Sequence, residues 1–392
     1  MAVGSGTASL AYSFNGLTWT ANGTTFSTQG NAVAFNGNLN NASIAWMAGG
    51  SGTNQVLTSV NGTTWVASSG GNAVITSSCT AVAWTGNAWI LGGTGTNTLA
   101  YSKDGTNFTG LGTTTFGTQC YALSWNGNML IAGGYTSGVS TNQVAYSYNG
   151  YTWTVSSAAN ALMTTQCNAV AWGGSFFVAG GSGTNAIIYS DTVGTGWTAV
   201  SGSNSIFSTQ CNAVAFNGQI WLAGGSGTNT LAYSTTGSSG WVGLGQGVFS
   251  SACTSVMWNG TYWIAGGTGT NRIAYSSNGL VWTAVTTQPF STQCFGMAMR
   301  SLLQNTTAIV TAPKILDKMT ESFTVWGGAT TTTLGYSYDG LAWNISASGT
   351  RLFTTSVRAV GWNGSVWVAG GAGTNTLAYS YDGINWLPSP SG

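Results

Sequence analysis

The sequence predicts an all-β fold, a single β-propeller of four-stranded antiparallel blades, and three observations lead there. One motif returns along the whole chain. The segment CNAVAFNGQIWLAGGSGTNTLAYS, Cys211 to Ser234, recurs with edits, and its Gly-Gly pair begins at Gly49, Gly92, Gly133, Gly180, Gly224, Gly266, Gly327 and Gly370. The steps between pairs are 43, 41, 47, 44, 42, 61 and 43 residues, so one interval carries an insertion. Each unit also breaks into short β-rich stretches separated by Asn-Gly, Asp-Gly or Gly-rich turns, which are hairpin signals. Helical periodicity is absent apart from a weak trace in the insertion. Finally, both parities of a strand are apolar: in CNAVAW one side is small and the other carries Val and Trp. A lone four-stranded sheet cannot bury both its faces, whereas wedge-shaped blades stacked around an axis cover both.

Taken in order, CNAVAF is the first strand of a unit, IWLAGG the second, and GSGTN a glycine-rich turn. TLAYS is the third strand, and the stretch around the following Trp is the fourth. Eight complete units run from about Asn31 to Trp386, preceded by an extra N-terminal hairpin, Ala8 to Trp19, within residues 1–24. Eight blades are expected over one domain, 1–392; nine follow if residues of the insertion supply missing inner strands. A third arrangement pairs the spare hairpin with a neighbouring molecule. Closure by chain ends sharing one blade does not balance, because the C-terminal unit reads as complete. The insertion, 300–325 within the seventh full repeat, holds Arg300, Lys314, Asp317, Lys318 and Glu321, five of the thirteen charges. It reads as a solvated rim loop, with a partner-docking element as the sharper alternative.

Composition excludes several classes of function. Hydrophobic residues make up 43% and Trp numbers 19, enough to fill a large core. Gly supplies 60 of 392 residues, roughly twice the usual ~7% share. Charged residues are only 3% and the formal net charge is +1, which removes the electrostatic case for nucleic acid or anionic lipid. No apolar run is long enough for a membrane span, and MAVGSGTASLAYSF lacks a basic n-region, so neither membrane insertion nor a secretory signal is expected.

The marker Ser-x-Asp/Asn-Gly-x-x-aromatic follows the Gly-Gly pairs, as in Ser59 to Trp65, Ser102 to Phe108 and Ser380 to Trp386, with one copy, Ser13 to Trp19, ahead of the first pair. It resembles the Asp box of bacterial-neuraminidase-type repeats, which implies the turn between third and fourth strands of a propeller blade. Asp104, Asp339 and Asp382 keep the acid, while Asn15, Asn61, Asn149 and Asn278 replace it, and Gly directly after this residue departs from the box. The longer string GTNTLAYSYDGINW, Gly373 to Trp386, is similar to repeat proteins encoded by giant DNA viruses of algae and protists. The resemblance spans nearly the whole chain and implies structural turns, since such boxes are not catalytic.

Cys79, Cys120, Cys167, Cys211, Cys253 and Cys294 all hold one repeat position, which Gly30 and Val357 fill in the remaining units. One cysteine per blade pairs poorly, so free buried thiols are expected, with neither disulfides nor metal. Histidine is absent, which removes Ser-His, Cys-His and imidazole-base chemistry. A sialidase, the enzyme that the box resemblance suggests, would need an arginine cluster, an acid and a Tyr–Glu pair. The chain has only Arg272, Arg300, Arg351 and Arg358 and a single glutamate. A glycosidase needs two facing carboxylates, and only Asp191, Asp317 and Glu321 are free of turn duty. The chain is therefore expected to be no enzyme and to hold no cofactor.

Alternate connections of a blade emerge on the same side, so the GTN turns and the loops ending in STQ share one face of the disc. That candidate binding face carries Asn54, Asn97, Asn142, Asn185, Asn229, Asn271 and Asn375, with Gln29, Gln119, Gln166, Gln210 and Gln293. Uncharged amides beside aromatics suit neutral sugars, while a plain turn role is the simpler reading. An exterior of Thr, Ser, Asn and Gly near zero charge favours association. The expected function is thus a non-catalytic structural or surface component of a virus particle, as capsid, fibre or attachment protein. It would be made in host cytoplasm and carried in the virion, with other virion proteins, copies of itself or neutral glycans as partners. A soluble propeller lectin is the alternative, and a sialidase-type hydrolase the remote one.

Overall fold

The computed structural model describes the chain except residues 24, 38–43, 138–141, 192–193, 299–323, 328–331, 338–342, 363–366, 381 and 390–392. It is all-β, and eight four-stranded antiparallel sheets are present among the described residues, with one further sheet of three strands. The chain divides into two compact units, Met1–Gln304 and Asn305–Gly392. Eight blades were expected over one domain; in the structure seven four-stranded sheets close upon themselves inside the first unit.

Six blades of that unit follow the repeat directly. In the fifth, Gln210–Phe216 pairs with Trp221–Ser226, then Leu231–Ser234, then Val242–Gly243. The seventh is assembled from both ends of the unit: Gln293–Met297 pairs antiparallel with Ala2–Ser5, which continues to Leu10–Tyr12 and Thr20–Ala21. Shared-blade closure, which the strand count argued against, is therefore how this ring shuts. The strand just ahead of the insertion leaves its own repeat and serves the N-terminal hairpin. Each inner strand packs against the next, and Gln293–Met297 packs against Gln29–Phe35, so the ring is complete at seven.

Both glycines of the Gly-Gly pair are required by close approach. A Cβ on Gly224 would stand 2.6 Å from the Sγ of Cys253 in the following blade, and one on Gly225 would strike the ring of Phe207. The first glycine is thus a hollow for the next blade's thiol, and the second seats an apolar plug from the loop ahead of its own inner strand, a Phe in most blades, Ile75 at Gly93 and Met163 at Gly181. All six thiols are free and fully buried as knobs of this kind. Burial pushes Cys79, Cys167 and Cys294 up to about 12, since a thiolate without solvent is strongly disfavoured. At the closing interface the two sizes are exchanged. Val3 takes the place of the first glycine, and Gly30 takes that of the cysteine, with Val3 filling the space a Cβ on Gly30 would occupy.

Large side chains finish the core between blades. Leu222 and Leu231 pack with Phe249, Cys253 and Trp263 of the next blade, each buried side chain contributing about 1.5–3 kcal/mol. Four short helices, Ser69–Val74, Ser157–Leu162, Ser203–Ile206 and Ala347–Leu352, lie between a fourth strand and the next inner strand. Ser68, Ser156 and Ser346 cap three of them by accepting the N–H of Gly71, Ala159 and Gly349. The sequence showed none of these helices because one or two turns are too short to display a 3.6-residue period.

The second unit holds a three-stranded sheet, Thr324–Gly327, Leu334–Ser337 and Trp343–Ile345, and a four-stranded one beginning at Ser356–Trp362. Val325 and Leu334 pack with Phe353, Val357 and Trp367, so the two sheets share one apolar core. Asp317, Glu321, Lys314, Lys318 and Arg300, and the rest of the charged insertion up to residue 323, lie outside the described residues, as does Asp339.

Candidate functional site

Three places in the first unit gather polar or aromatic side chains. The first is the face where glycine-rich turns meet the loops ahead of the inner strands. There the amides of the GTN turns are bonded to their own blade. Nδ2 of Asn97, Asn185, Asn229 and Asn271 donates to the carbonyls of Val74, Leu162, Ile206 and Val248 at 2.6–2.8 Å, and Asn142 donates to Thr115 at 3.1 Å. Oδ1 of Asn97 and Asn229 also accepts the N–H of Gly112 and Gly245. Asn54 accepts from the Asn72 side chain at 3.3 Å. Asn375, in the second unit, is tied by its backbone N–H to Leu352. Loop hydroxyls complete the fastening, as when Ser208 accepts the N–H of Thr228 at 2.9 Å. Most of these asparagines are half-buried clasps between two loops, with little hydrogen-bonding capacity left over.

The second place is the channel mouth. Gln29, Gln119, Gln166, Gln210 and Gln293 each open an inner strand. Gln166 donates to Gln210 at 3.0 Å, Gln210 to Asn212 at 2.7 Å, and Gln29 to Asn31 at 2.7 Å, forming a partial amide belt. Just inside, each inner strand of the ring bulges by one residue, as the pairing shift between Cys211 and Ala213 records. A bulge re-aims its extra side chain. Asn31, Asn168 and Asn212 use it to donate to the carbonyls of Cys79, Cys211 and Cys253 in the following blade at 3.0–3.1 Å, and Thr80 and Thr254 reach Cys120 and Cys294. A cavity of about 200 Å³ runs between the seven inner strands. The sequence signal for this stitching was present: a polar residue directly after the cysteine in an otherwise apolar strand.

The third place lies at the closing blade and was not anticipated. A cavity of about 270 Å³ is lined by Tyr12, Phe14, Trp19 and Trp46 together with Asn61, Thr63, Met257 and Asn259. Phe14 is 94% exposed, with the ring of Tyr12 edge-on at 5.6 Å. Trp19 is held by its indole N–H on the carbonyl of Gly16 at 3.0 Å. Asn259 spends its Oδ1 on the amides of Thr261 and Tyr262. An apolar wall with a few amide groups at its rim is suited to one face of a sugar ring.

The turns between third and fourth strands are held by their own side chains. Ser59 accepts the N–H of Gly62, Asn61 accepts those of Thr63 and Thr64, and Trp65 donates back to Gly62 at 2.9 Å. Asn15, Asn149 and Asn278 repeat this. Asp104 does the same with a full charge. The Asn107 backbone N–H, then its side-chain amide and the Thr106 N–H, hold the Asp104 carboxyl well below the usual carboxylate range. Burial pulls Asp382 upward, and the amides of Asn385 and Ile384 outweigh it, leaving this acid lowered too. Asp191 is exposed and accepts the N–H of Thr195 at 3.1 Å. No cluster of three metal-ligating side chains occurs among the described residues.

No protein-family model matches the chain, and no curated protein does. Solved structures do resemble it. The extracellular domain of the putative hybrid two-component system BT4673 from B. thetaiotaomicron is 11% identical with a TM-score of 0.50, over 98% of this chain and 50% of that one. The computationally designed Ika8 protein is 14% identical with a TM-score of 0.44, over 90% and 96%. The WD40 domain of Neurospora crassa Pan2 is 11% identical with a TM-score of 0.44, over 66% and 79%. At such identities the likeness extends to the β-propeller fold alone.

Proposed function

We propose that this β-propeller chain is a non-catalytic structural or surface component of a virus particle. One observation carries the reading: the polar side chains that recur with the repeat are mostly bonded to backbone. Turn asparagines clasp loops, box residues hold hairpins, and bulge residues join blades. Residues repeated for chemistry would instead converge on a common point with unsatisfied capacity. An exterior with 3% charge supports the same reading, because it suits a body packed against others. The particle itself is suggested by the likeness of the repeat to giant-virus repeat proteins. Mass spectrometry of purified particles is expected to detect the chain in defined copy number; recovery only from the soluble extract of infected cells would sink the proposal.

A second reading, neutral-glycan binding, is favoured by the aromatic cavity of the closing blade rather than by the turn asparagines. It predicts saturable binding on a neutral-glycan array that Phe14→Ala weakens and Asn229→Ala leaves in place. A flat array would leave the structural role standing.

A further inference from the structure

We propose that the mouth of the central channel binds one neutral sugar ring, held between the blades of Tyr121 and Phe295. The ligand class is that of the second reading above, but the site is separate from the closing-blade cavity, and the experiment below tells the two apart. The motivating observation is a break in the repeat. At five of the seven inner strands the bulge residue is Asn or Thr and bonds a carbonyl of the following blade. At the other two it is aromatic: the pairing register skips Tyr121 beside Cys120, and Phe295 beside Cys294 in the closing blade. Both rings are half-buried, and among the described residues neither joins the apolar cores between blades. The mouth glutamines divide in the same way. Gln29 and Gln210 each donate to the bulge Asn two residues on, and Gln166 donates to Gln210. Gln119 and Gln293, two residues ahead of Tyr121 and Phe295, make no side-chain hydrogen bond among the described residues. Around the ring these two blades are three apart in one direction and four in the other, so the free amides and their aromatic neighbours stand on opposite walls of the channel. Tyr135, where the other six ring blades carry Ser or Thr, pairs with Gln119 and adds a second ring to one wall.

The ligand follows from these groups. No mouth or bulge position of the seven inner strands carries a charge, so an ionic ligand would find no counter-charge there. A side-chain amide offers two donors and an acceptor, which matches adjacent hydroxyls that both give and take hydrogen bonds. An aromatic face covers the C–H side of a pyranose. The cavity beneath, about 200 Å³, is lined by Tyr121 with Asn31, Thr80, Asn212 and Thr254. That is less than the ~300–1,000 Å³ of pockets for drug-sized ligands, so it admits a single ring, and any further sugars of a glycan would lie outside the mouth.

The test titrates the full-length chain with the methyl glycosides of glucose, galactose, mannose and N-acetylglucosamine, followed by saturation-transfer NMR and calorimetry. At least one is expected to bind saturably with a Kd of about 1–10 mM, the range open to so small a ligand. Tyr121→Asn gives this blade the bulge residue of three others and is expected to keep the fold while weakening binding about tenfold or more. Tyr121→Phe keeps the ring and should bind within about threefold of the wild type. Should Tyr121→Asn fail to fold, Gln119→Ala with Gln293→Ala carries the test with the same expected loss, since neither amide is bonded within the protein. Phe14→Ala, at the closing-blade cavity, should leave the affinity unchanged. Binding that Phe14→Ala abolishes and folded Tyr121→Asn leaves intact would overturn the channel site while keeping the glycan reading. Absence of saturable binding by all four glycosides would overturn the channel site too, and array binding sensitive to Phe14→Ala would then still support the closing-blade cavity.

Discussion

At six interfaces of the ring a cysteine from the following blade fills the hollow over a glycine, as Cys253 does over Gly224. At the seventh, Val3 stands in the glycine's place and Gly30 in the cysteine's. The total volume is kept while its donor changes sides. Gly296, where other inner strands carry Ala or Ser, makes further room, since a Cβ there would come within 3.2 Å of Val3 Cγ2. A Val3 edge set against any cysteine-bearing blade would clash, and a Gly30 edge set against a glycine would leave a void. The exchange therefore labels the two surfaces that must meet, and it selects a ring of seven over registers that would include more of the repeat.

The largest effect should come from overfilling a regular hollow. Gly224→Val places carbon where the Cys253 sulfur sits and is expected to cost about 3 kcal/mol, at the upper end for overpacking, as read from denaturant unfolding. Emptying the closing interface should cost somewhat less: Val3→Gly, about 2 kcal/mol from lost burial and the void left behind. Combining Val3→Gly with Gly30→Cys rebuilds the common arrangement. The double variant should recover about 1–2 kcal/mol relative to the sum of the singles, and simple additivity would show that the exchange carries no coupling.

Thiol chemistry sharpens the comparison without altering stability. With all six sulfurs fully buried and protonated, none should react with a disulfide reagent in the native ring, and six equivalents should react after denaturation. A fast native equivalent would identify an interface that opens. The smallest effect is expected at Asp104, which is almost fully exposed and equivalent to asparagine in other blades. Its folded carboxyl is depressed, so whatever it contributes is present above the unfolded value of about 3.9 and is lost as pH falls through the lower folded value. Asp104→Asn should match the wild type within ~0.5 kcal/mol at neutral pH. The two acid-unfolding curves should differ only below that unfolded value.

The strands and box turns were legible because hairpin chemistry and apolar parity are local. The partner of Gln293–Met297 was not, because pairing with Ala2–Ser5 spans almost the whole ring and leaves no local trace. The one clue was the departure of Gly30 from cysteine, which makes sense only beside Val3. For the asparagines of the glycine-rich turns the sequence left both a plain turn role and a binding face open, since it shows their spacing but not that they already bond carbonyls such as that of Ile206. The cavity aromatics Phe14 and Trp46 come from blades brought together by closure, so no linear pattern could have joined them.

The manner of closure sets an order on how the protein is made. Ala2–Ser5 and the two strands that follow leave the ribosome ahead of the ring's other strands, yet their inner partner is synthesised about 290 residues later, a wait of roughly 15–60 s at ordinary elongation rates. Throughout that interval a three-stranded sheet carries a free edge, and the first finished blade lacks the neighbour that covers Gly30. The ring's first-made strands are thus the last to lock, and the growing ring stays an open arc until its final strand emerges.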